Sequence, residues 1–330
     1  MAVYTVLERH DVEAFIEPFG IGQLLSFKGI ADGVENTTYF ISTDQSRFAS
    51  ETRTEPTQNF VLTIFEAIEQ HELAFFIELT TFLNRQGLAV PCPLTDANGI
   101  VMHFIQDKPA LLVPKLKGEH PKQPTLAQCR AIGTAVAQIH LACMKAKLAH
   151  EGSHNFDWLA EAINRIRPAL DSEENELLNE LKRFQQLAAS HPELPQTVIH
   201  SDLFRDNTLF DQDRLSGIID FNSASSGYLM FDLAVIVNDW CSKSDGSIDT
   251  PLMTEIITAY QHIRPFTTAE KTLWNDFLRV AALRFWVSRR VAQLQPEHGH
   301  KRGGLIEPKN PQQYKNILLQ RIRYPQPIQP

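Results

Sequence analysis

Between Val198 and Phe221 the chain reads VIHSDLFRDNTLFDQDRLSGIIDF, and this stretch restricts the fold more tightly than any other part of the sequence. Gln196 to His200 is a short apolar run suited to a buried strand, while Ser201 to Asn207 is polar enough to be an exposed loop. Thr208, Leu209 and Phe210 then read as a second strand, and Asp211 to Arg214 as a hairpin turn. Gly217, Ile218 and Ile219 return as a third strand that ends on Asp220. A hairpin folded back on the loop sets Asp220 beside Asn207. His-x-Asp alone is common, but the full His-x-Asp-x-x-x-x-Asn, followed by a hairpin and an apolar-apolar-Asp-Phe, is a restrictive pattern.

The residue types in that pattern are those that phosphoryl transfer needs. The reaction leaves a protein little covalent work: it must position the nucleophile and neutralise charge spread over phosphate oxygens. Asn207 and Asp220 offer an amide carbonyl and a carboxylate, the hard oxygen ligands that magnesium (Mg2+) prefers. Asp202 is the candidate catalytic group, placed to orient an acceptor hydroxyl and take its proton, and is expected to be ionised near neutral pH. His200 reads as a structural residue bonded to nearby backbone.

Composition narrows the function from the other side. Lys and Arg total 31 against 39 for Asp and Glu, a formal charge of -8, which argues against a nucleic-acid partner held by a basic surface. No stretch approaches the length of a membrane span, and MAVYTVLERHD lacks the apolar core of a signal peptide, so a cytoplasmic chain is expected. Cys92, Cys129, Cys143 and Cys241 form no C-x-x-C pair and read as ordinary thiols. The pairs His150/His154 and His298/His300 have no acidic or thiolate companions nearby and read as solvated loop residues.

At 330 residues the chain can bury a large core and divide into two lobes. Val12 to Phe19 has helical spacing, Leu24 to Gly29, Thr38 to Ser42 and Asn59 to Phe65 read as strands, and Asp44 to Gln58 as a long hairpin loop. Leu73 to Arg85 reads as a helix stopped by Gly87, followed by strands near Met102 to Ile105 and Ala110 to Val113. Thr125 caps an amphipathic helix over Leu126 to Cys143. Further helices are expected at Trp158 to Ile166, Glu174 to Ala189, Phe231 to Trp240, Leu252 to Ile263, Leu273 to Val291 and Gln312 to Arg321. Apolar periodicity lapses in LVPKLKGEH, which places the boundary between lobes near Pro114 to Glu119.

Together GIADGVENTTYFIST (Gly29 to Thr43), FVLTIFE, VIHSDLFRDN, GIIDF, FDLAVIVNDWC and ALRFW cover most of the chain, and with them it resembles the aminoglycoside phosphotransferase and choline kinase superfamily. Within that superfamily it is similar to the homoserine kinases. The resemblance implies an α+β, protein-kinase-like, two-lobed fold. Residues 1–115 would form a small mixed nucleotide-binding lobe with an antiparallel sheet, and residues 116–330 a larger, mainly helical catalytic and substrate-binding lobe. It implies ATP as phosphoryl donor, Mg2+ as cofactor, the hydroxyl of L-homoserine as acceptor in a step toward threonine, and a hinge between the lobes whose backbone pairs with adenine.

One departure from that family bears on the nucleotide. The strand lysine that usually steadies the α and β phosphates falls at Thr63, and the glutamate that usually pairs with it falls near Phe76. Losing both members together avoids a lone buried charge. Lys28 or Arg205 could then neutralise phosphate, with Gly29, Gly33 and Asn36 covering it in place of a G-x-G-x-x-G hairpin. A small amino-acid acceptor presents a carboxylate, for which Arg284 and Arg205 are candidates, and an ammonium, for which Asp32, Glu35, Asn222 and Asp232 are candidates. Two other functions remain open on sequence: a kinase of choline, an aminoglycoside or methylthioribose, and a non-catalytic nucleotide-binding module.

Overall fold

A computed structural model describes residues 4–30, 36–44, 57–68, 70–152, 155–294 and 309–328. They fall into two compact units, one taking in residues up to Asn84 with Val90–Leu116, the other Arg85–Ala89, Lys117–Leu294 and the C-terminal segment from Pro308. Asp32, Gly33, Glu35, His154, His298, His300 and most of the Asp44 to Gln58 loop lie outside the described residues.

The first unit is an antiparallel sheet with helices. Helix α1 (Arg9–Ile16) precedes strands β1 (Gln23–Gly29), β2 (Thr37–Asp44) and β3 (Thr57–Ile64). Helix α2 (Gln70–Arg85) and strands β4 (His103–Ile105) and β5 (Lys108–Pro114) follow, in the sheet order β1-β2-β3-β5-β4. Alternation in β2 buries Thr37, Tyr39, Ile41 and Thr43, and this face meets Val12, Phe15 and Ile16 of α1 in one core. At the end of α2, Gly87 takes φ +78°, the left-handed turn that stops the helix.

The second unit is mainly helical. It comprises α3 (Leu126–Ala146), α4 (Phe156–Ile166), α5 (Ser172–Leu177), α6 (Asn179–Ala189), α7 (Leu229–Trp240), α8 (Thr250–Ile263), α9 (Thr268–Leu294) and α10 (Pro311–Arg323). Two small antiparallel pairs sit among them: β6 (Gln196–Ile199) with β9 (Ser225–Tyr228), and β7 (Thr208–Asp211) with β8 (Arg214–Ile218). Thr125 caps α3 as expected, its hydroxyl accepting from the Gln128 N–H while the Gln128 side chain answers the cap's own N–H. Gly133 lets α3 lie close on α8, since a Cβ there would collide with the Ile256 carbonyl. Helix α7 is buried on nearly every side, and its apolar run forms the centre on which the catalytic segment rests.

The Ser201 to Asn207 loop, expected to be exposed, is largely buried, and two elements also differ from expectation. The helix expected over Glu174 to Ala189 is two helices meeting at Leu178, which is 3 % exposed and packed inward although neither Gly nor Pro marks the break. Strand β9, SSGY, carries no alternating pattern and was not expected; it forms because β6 offers it a full ladder from Gln196↔Tyr228 to Ile199↔Ser225. No helix among the described residues is long and apolar enough to cross a membrane, and all four cysteines are free thiols.

Candidate active site

Strand β6 delivers His200, Ser201 and Asp202 to a loop that closes as a single turn of 3-10 helix at Arg205–Asn207. The Asn207 amide donates to the Asp202 carbonyl at 2.7 Å and to its carboxylate at 3.3 Å. That leaves the Asn207 side-chain oxygen as an acceptor. The β7–β8 hairpin folds back as its sequence predicts, with Thr208 opposite Ile218. Directly beyond the ladder, the Ile219 N–H donates to the Asn207 carbonyl at 2.9 Å, which brings Asp220 beside Asn207.

Both ends of this arrangement hold a non-glycine residue in the left-handed region, Ser201 at φ +68° and Asp220 at φ +62°. Such conformations cost about 1–3 kcal/mol each and persist where surrounding contacts impose them. His200 is one of those contacts. Its Nε2 bonds to the Ile219 carbonyl at 3.0 Å, its ring lies 4.5 Å from that of Phe221, and its Nδ1 accepts from the Asp202 N–H at 3.4 Å.

Burial pushes the Asp202 carboxyl up to about 7; Arg284 opposes the shift, Asp220 adds to it, Lys309 opposes it and Asp206 adds to it. Asp220 is also raised, first by burial, with His200 opposing. Asp220 reaches solvent and Asp202 is half-buried, yet both lie among enough protein atoms for desolvation to dominate. The expectation of a fully ionised Asp202 therefore gives way to a carboxyl poised to exchange a proton near neutrality, which is where a general base is most effective. No cluster of three or more His, Cys, Asp or Glu able to hold a metal occurs among the described residues. Asn207 and Asp220 instead fit a cation that keeps waters and takes phosphate oxygens, the coordination magnesium favours.

The remaining sequence candidates separate by what they touch. Arg284, on α9, is 5 % exposed, lies 4.6 Å over the Phe285 ring and donates to the Ser201 carbonyl at 3.4 Å, while its Nε has no partner. Asn222 also keeps a buried side-chain oxygen without a partner. Asp232, expected to face a substrate ammonium, is 1 % exposed and occupied. Its two oxygens accept from the His200 N–H at 2.8 Å and the Ser201 N–H at 2.7 Å, and His140 of α3 bonds to it at 3.1 Å. Burial raises its pKa, but the bond and charge of His140 with the bonds of the loop outweigh that and hold it below the usual carboxylate range. Arg205, expected to face a carboxylate or phosphate, donates to Asp239 at 3.0 Å and to the Lys122 carbonyl at 3.0 Å, so it fastens the loop to the end of α7.

In the first unit Lys28 is exposed, on the sheet face it shares with Phe40 and Val61, and makes no ion pair among the described residues. The Asn36 side-chain oxygen accepts from the Glu66 N–H at 3.3 Å, so only its amide group remains for a phosphate. Thr63 lies opposite Thr38 and Leu111, and Phe76 packs on Phe65 with ring centroids 6.3 Å apart. Neither of the two positions carries a charge, and Phe76 makes its apolar contact with Phe65 instead. A half-buried ion pair of this unit joins Lys108 to Glu66 at 2.6 Å, among Thr5 and Thr37.

Sequence reading missed His140, Asp239 and Lys309. His140 left a signal, a histidine among Val136, Ile139 and Cys143 on the buried face of α3. Its Nε2 faces Asp232 and its Nδ1 bonds to the Tyr260 hydroxyl at 2.9 Å; Arg264 lies 5.9 Å over the Tyr260 ring and forks onto Glu270 at 2.8 and 3.1 Å. Lys309 left no signal. It lies far along the chain, yet its ammonium is 2.8 Å from Asp206 and 5.3 Å over the Phe204 ring.

A loop acid, an amide oxygen and a hairpin carboxylate gathered in this way define a phosphotransferase, and the chain belongs to the phosphotransferase enzyme family, which residues 26–266 match. Among curated proteins it is 39 % identical over 293 residues to a homoserine kinase of Pseudomonas aeruginosa (strain LESB58), covering 88 % of this chain and 89 % of that one. It is 35 % identical over 320 residues to a homoserine kinase of Neisseria meningitidis serogroup B, covering 97 % and 99 %. Among solved structures it is similar to a microcompartment-associated aminopropanol kinase, with a TM-score of 0.69 at 15 % identity over 96 % of this chain and 97 % of that one. The fold is that of the protein-kinase-like phosphotransferases.

Proposed function

We propose that this chain transfers the γ-phosphoryl group of ATP to the side-chain hydroxyl of L-homoserine, giving O-phospho-L-homoserine and ADP, a cytoplasmic step toward threonine. The observation that carries the reading is the convergence of Asp202, Asn207 and Asp220 through the Asn207 amide and the Ile219 N–H, in a chain 39 % identical to a homoserine kinase. Asp202 orients the hydroxyl and takes its proton. Asn207 and Asp220 would hold Mg2+, which when bound supplies positive charge to the phosphate oxygens. The first unit, with Lys28, Gly33 and Asn36, is assigned to the nucleotide, and the second to catalysis and the acceptor.

Homoserine carries its carboxylate a few bonds from the reacting hydroxyl. A buried guanidinium beside the catalytic loop with a free Nε suits that carboxylate, and the orphaned Asn222 oxygen suits the ammonium. The assignment for Arg284 predicts that Arg284→Ala raises the KM for homoserine by about 10-fold to 100-fold, the worth of a charge-assisted hydrogen bond, with the KM for ATP unchanged. Steady-state kinetics of both substrates checks this.

ADP formation measured side by side with L-homoserine, choline, an aminoglycoside and methylthioribose tests the whole reading. Homoserine should be turned over fastest, and preference for another acceptor ends the assignment. The replacement of the strand ion pair by Thr63 and Phe76 favours a second reading, a nucleotide-binding module without turnover. Its signature in the same assay is ATP binding with no ADP formed on any acceptor.

A further inference from the structure

Three carboxylates, Asp202, Asp206 and Asp220, lie on the catalytic loop and at the end of the hairpin. Asp220 and Asp206 both raise Asp202, and Asp206 also raises Asp220. Bringing a nucleotide's terminal phosphate to such a place is unfavourable unless a cation meets it. Among the strongest influences on the two carboxylates, Arg284 acts on Asp202 and His200 on Asp220, while Lys309 is the cation common to both. Its ammonium, 2.8 Å from Asp206 and 5.3 Å over the Phe204 ring, lies beside the residue that precedes Asn207 on the catalytic loop.

Lys309 is held there by a dedicated set of contacts. Helix α10 starts behind Asn310, whose side chain accepts from the Gln312 N–H at 2.9 Å. Arg289 of α9 donates to the Asn310 carbonyl at 3.0 Å and to Gln313 at 2.9 Å, and lies 4.4 Å over the Tyr314 ring. Tyr314 packs against Phe204 and Phe285, with ring centroids 6.0 and 5.5 Å apart. The backbone next to Lys309 is therefore fixed against the catalytic loop. Its ion pair with Asp206 is open to water, with the two side chains 59 % and 54 % exposed, and such pairs are readily exchanged.

We propose that Lys309 is the cation that meets the transferring phosphoryl group, exchanging the Asp206 carboxylate for a non-bridging oxygen of the γ-phosphate, and that Asp206 receives the ammonium back between turnovers. The inference rests on the phosphotransferase reading above. As phosphorus gains a bond to the acceptor oxygen it loses the one to the β,γ-bridging oxygen, which leaves with the electron pair as ADP, and the hydroxyl proton passes to Asp202. Lys309 holds the charge on the oxygens in between.

The test compares the parent with Lys309→Ala, Lys309→Arg and Asp206→Asn in the full chain. Lys309→Ala should lower kcat by about 10²-fold to 10³-fold, the usual loss of one preorganised donor, with the KM for homoserine little changed. Lys309→Arg should recover at least about a tenfold part of that loss, because it restores a cation to the same reach. Asp206→Asn, which frees the ammonium but leaves the cation in place, should lose far less kcat than Lys309→Ala. A kcat for Lys309→Ala close to the parent's overturns the proposal, as does an equal loss in Lys309→Arg and Asp206→Asn, which would mean the pair merely holds the loop. A separate readout needs no acceptor: calorimetric titration should show that the parent's preference for ATP over ADP falls in Lys309→Ala. An unchanged preference overturns the proposal, whereas a parent that prefers another acceptor sinks only the homoserine reading.

Discussion

Asp202→Asn is expected to lower kcat by about 10²-fold to 10⁴-fold, the contribution of a positioned general base, while ATP binding stays largely intact. Asparagine keeps the shape of the loop and the reach toward Asn207 but cannot accept the proton. The same substitution should change stability in a pH-dependent way. Burial holds the folded Asp202 near a pKa of about 7, above its ordinary 3.8, so the folded chain binds this proton more tightly than the unfolded one. The stability this group lends is complete at low pH and is lost as pH rises from about 4 to about 7. Asparagine does not ionise, so in metal-free protein Asp202→Asn should match the parent's Tm near pH 4 and exceed it at pH 8. Thermal melts at the two pH values, with kinetics on the same samples, check both halves; equal losses of ATP binding and turnover would point to misfolding and remove Asp202 from its role.

Asp232→Ala should be the most damaging change to the fold of the second unit. It removes the acceptor for the His200 and Ser201 N–H groups and leaves His140 facing a void. Removing one partner of a buried, hydrogen-bonded pair costs about 3–5 kcal/mol. For a unit of this size that corresponds to a fall in Tm of roughly 10 °C or more. The carboxylate is held below its usual range, so its contribution is present above the ordinary pKa and disappears as pH falls through the lowered value. Denaturant titration of the variant decides between two roles. A stable Asp232→Ala protein whose only defect is a raised KM for homoserine would return Asp232 to the substrate pocket.

How far the sequence could be read depended on whether the deciding contacts were local. Asp202, Asn207 and Asp220 sit on one loop and one hairpin, so spacing and turn chemistry alone predicted that Asn207 and Asp220 would meet, as the Ile219–Asn207 bond brings about. The β1 to β5 strands were legible for the same reason, since alternation in β2 and β3 reports burial residue by residue. The contacts of Asp232 were not legible because α7 is buried all round, and on such a helix periodicity does not say which neighbour a carboxylate faces. The ion pair of Arg205 was not legible because its partner, Asp239, lies on a different element. Lys309 meets Asp206 only through the packing of α10 on α9, a contact that no local pattern encodes. The roles of Arg284 and Asn222 rest on atoms left without partners, which only coordinates reveal.

The line of buried polar groups from the loop amides through Asp232, His140 and Tyr260 to Arg264 and Glu270 ties the reacting end of the second unit to its far side. Lesions at the remote end, such as those removing Glu270, would leave substrate contacts untouched but let the strained turn at Ser201 relax on warming. Conditional, heat-sensitive alleles should therefore cluster along this line, and growth at low temperature should hide them.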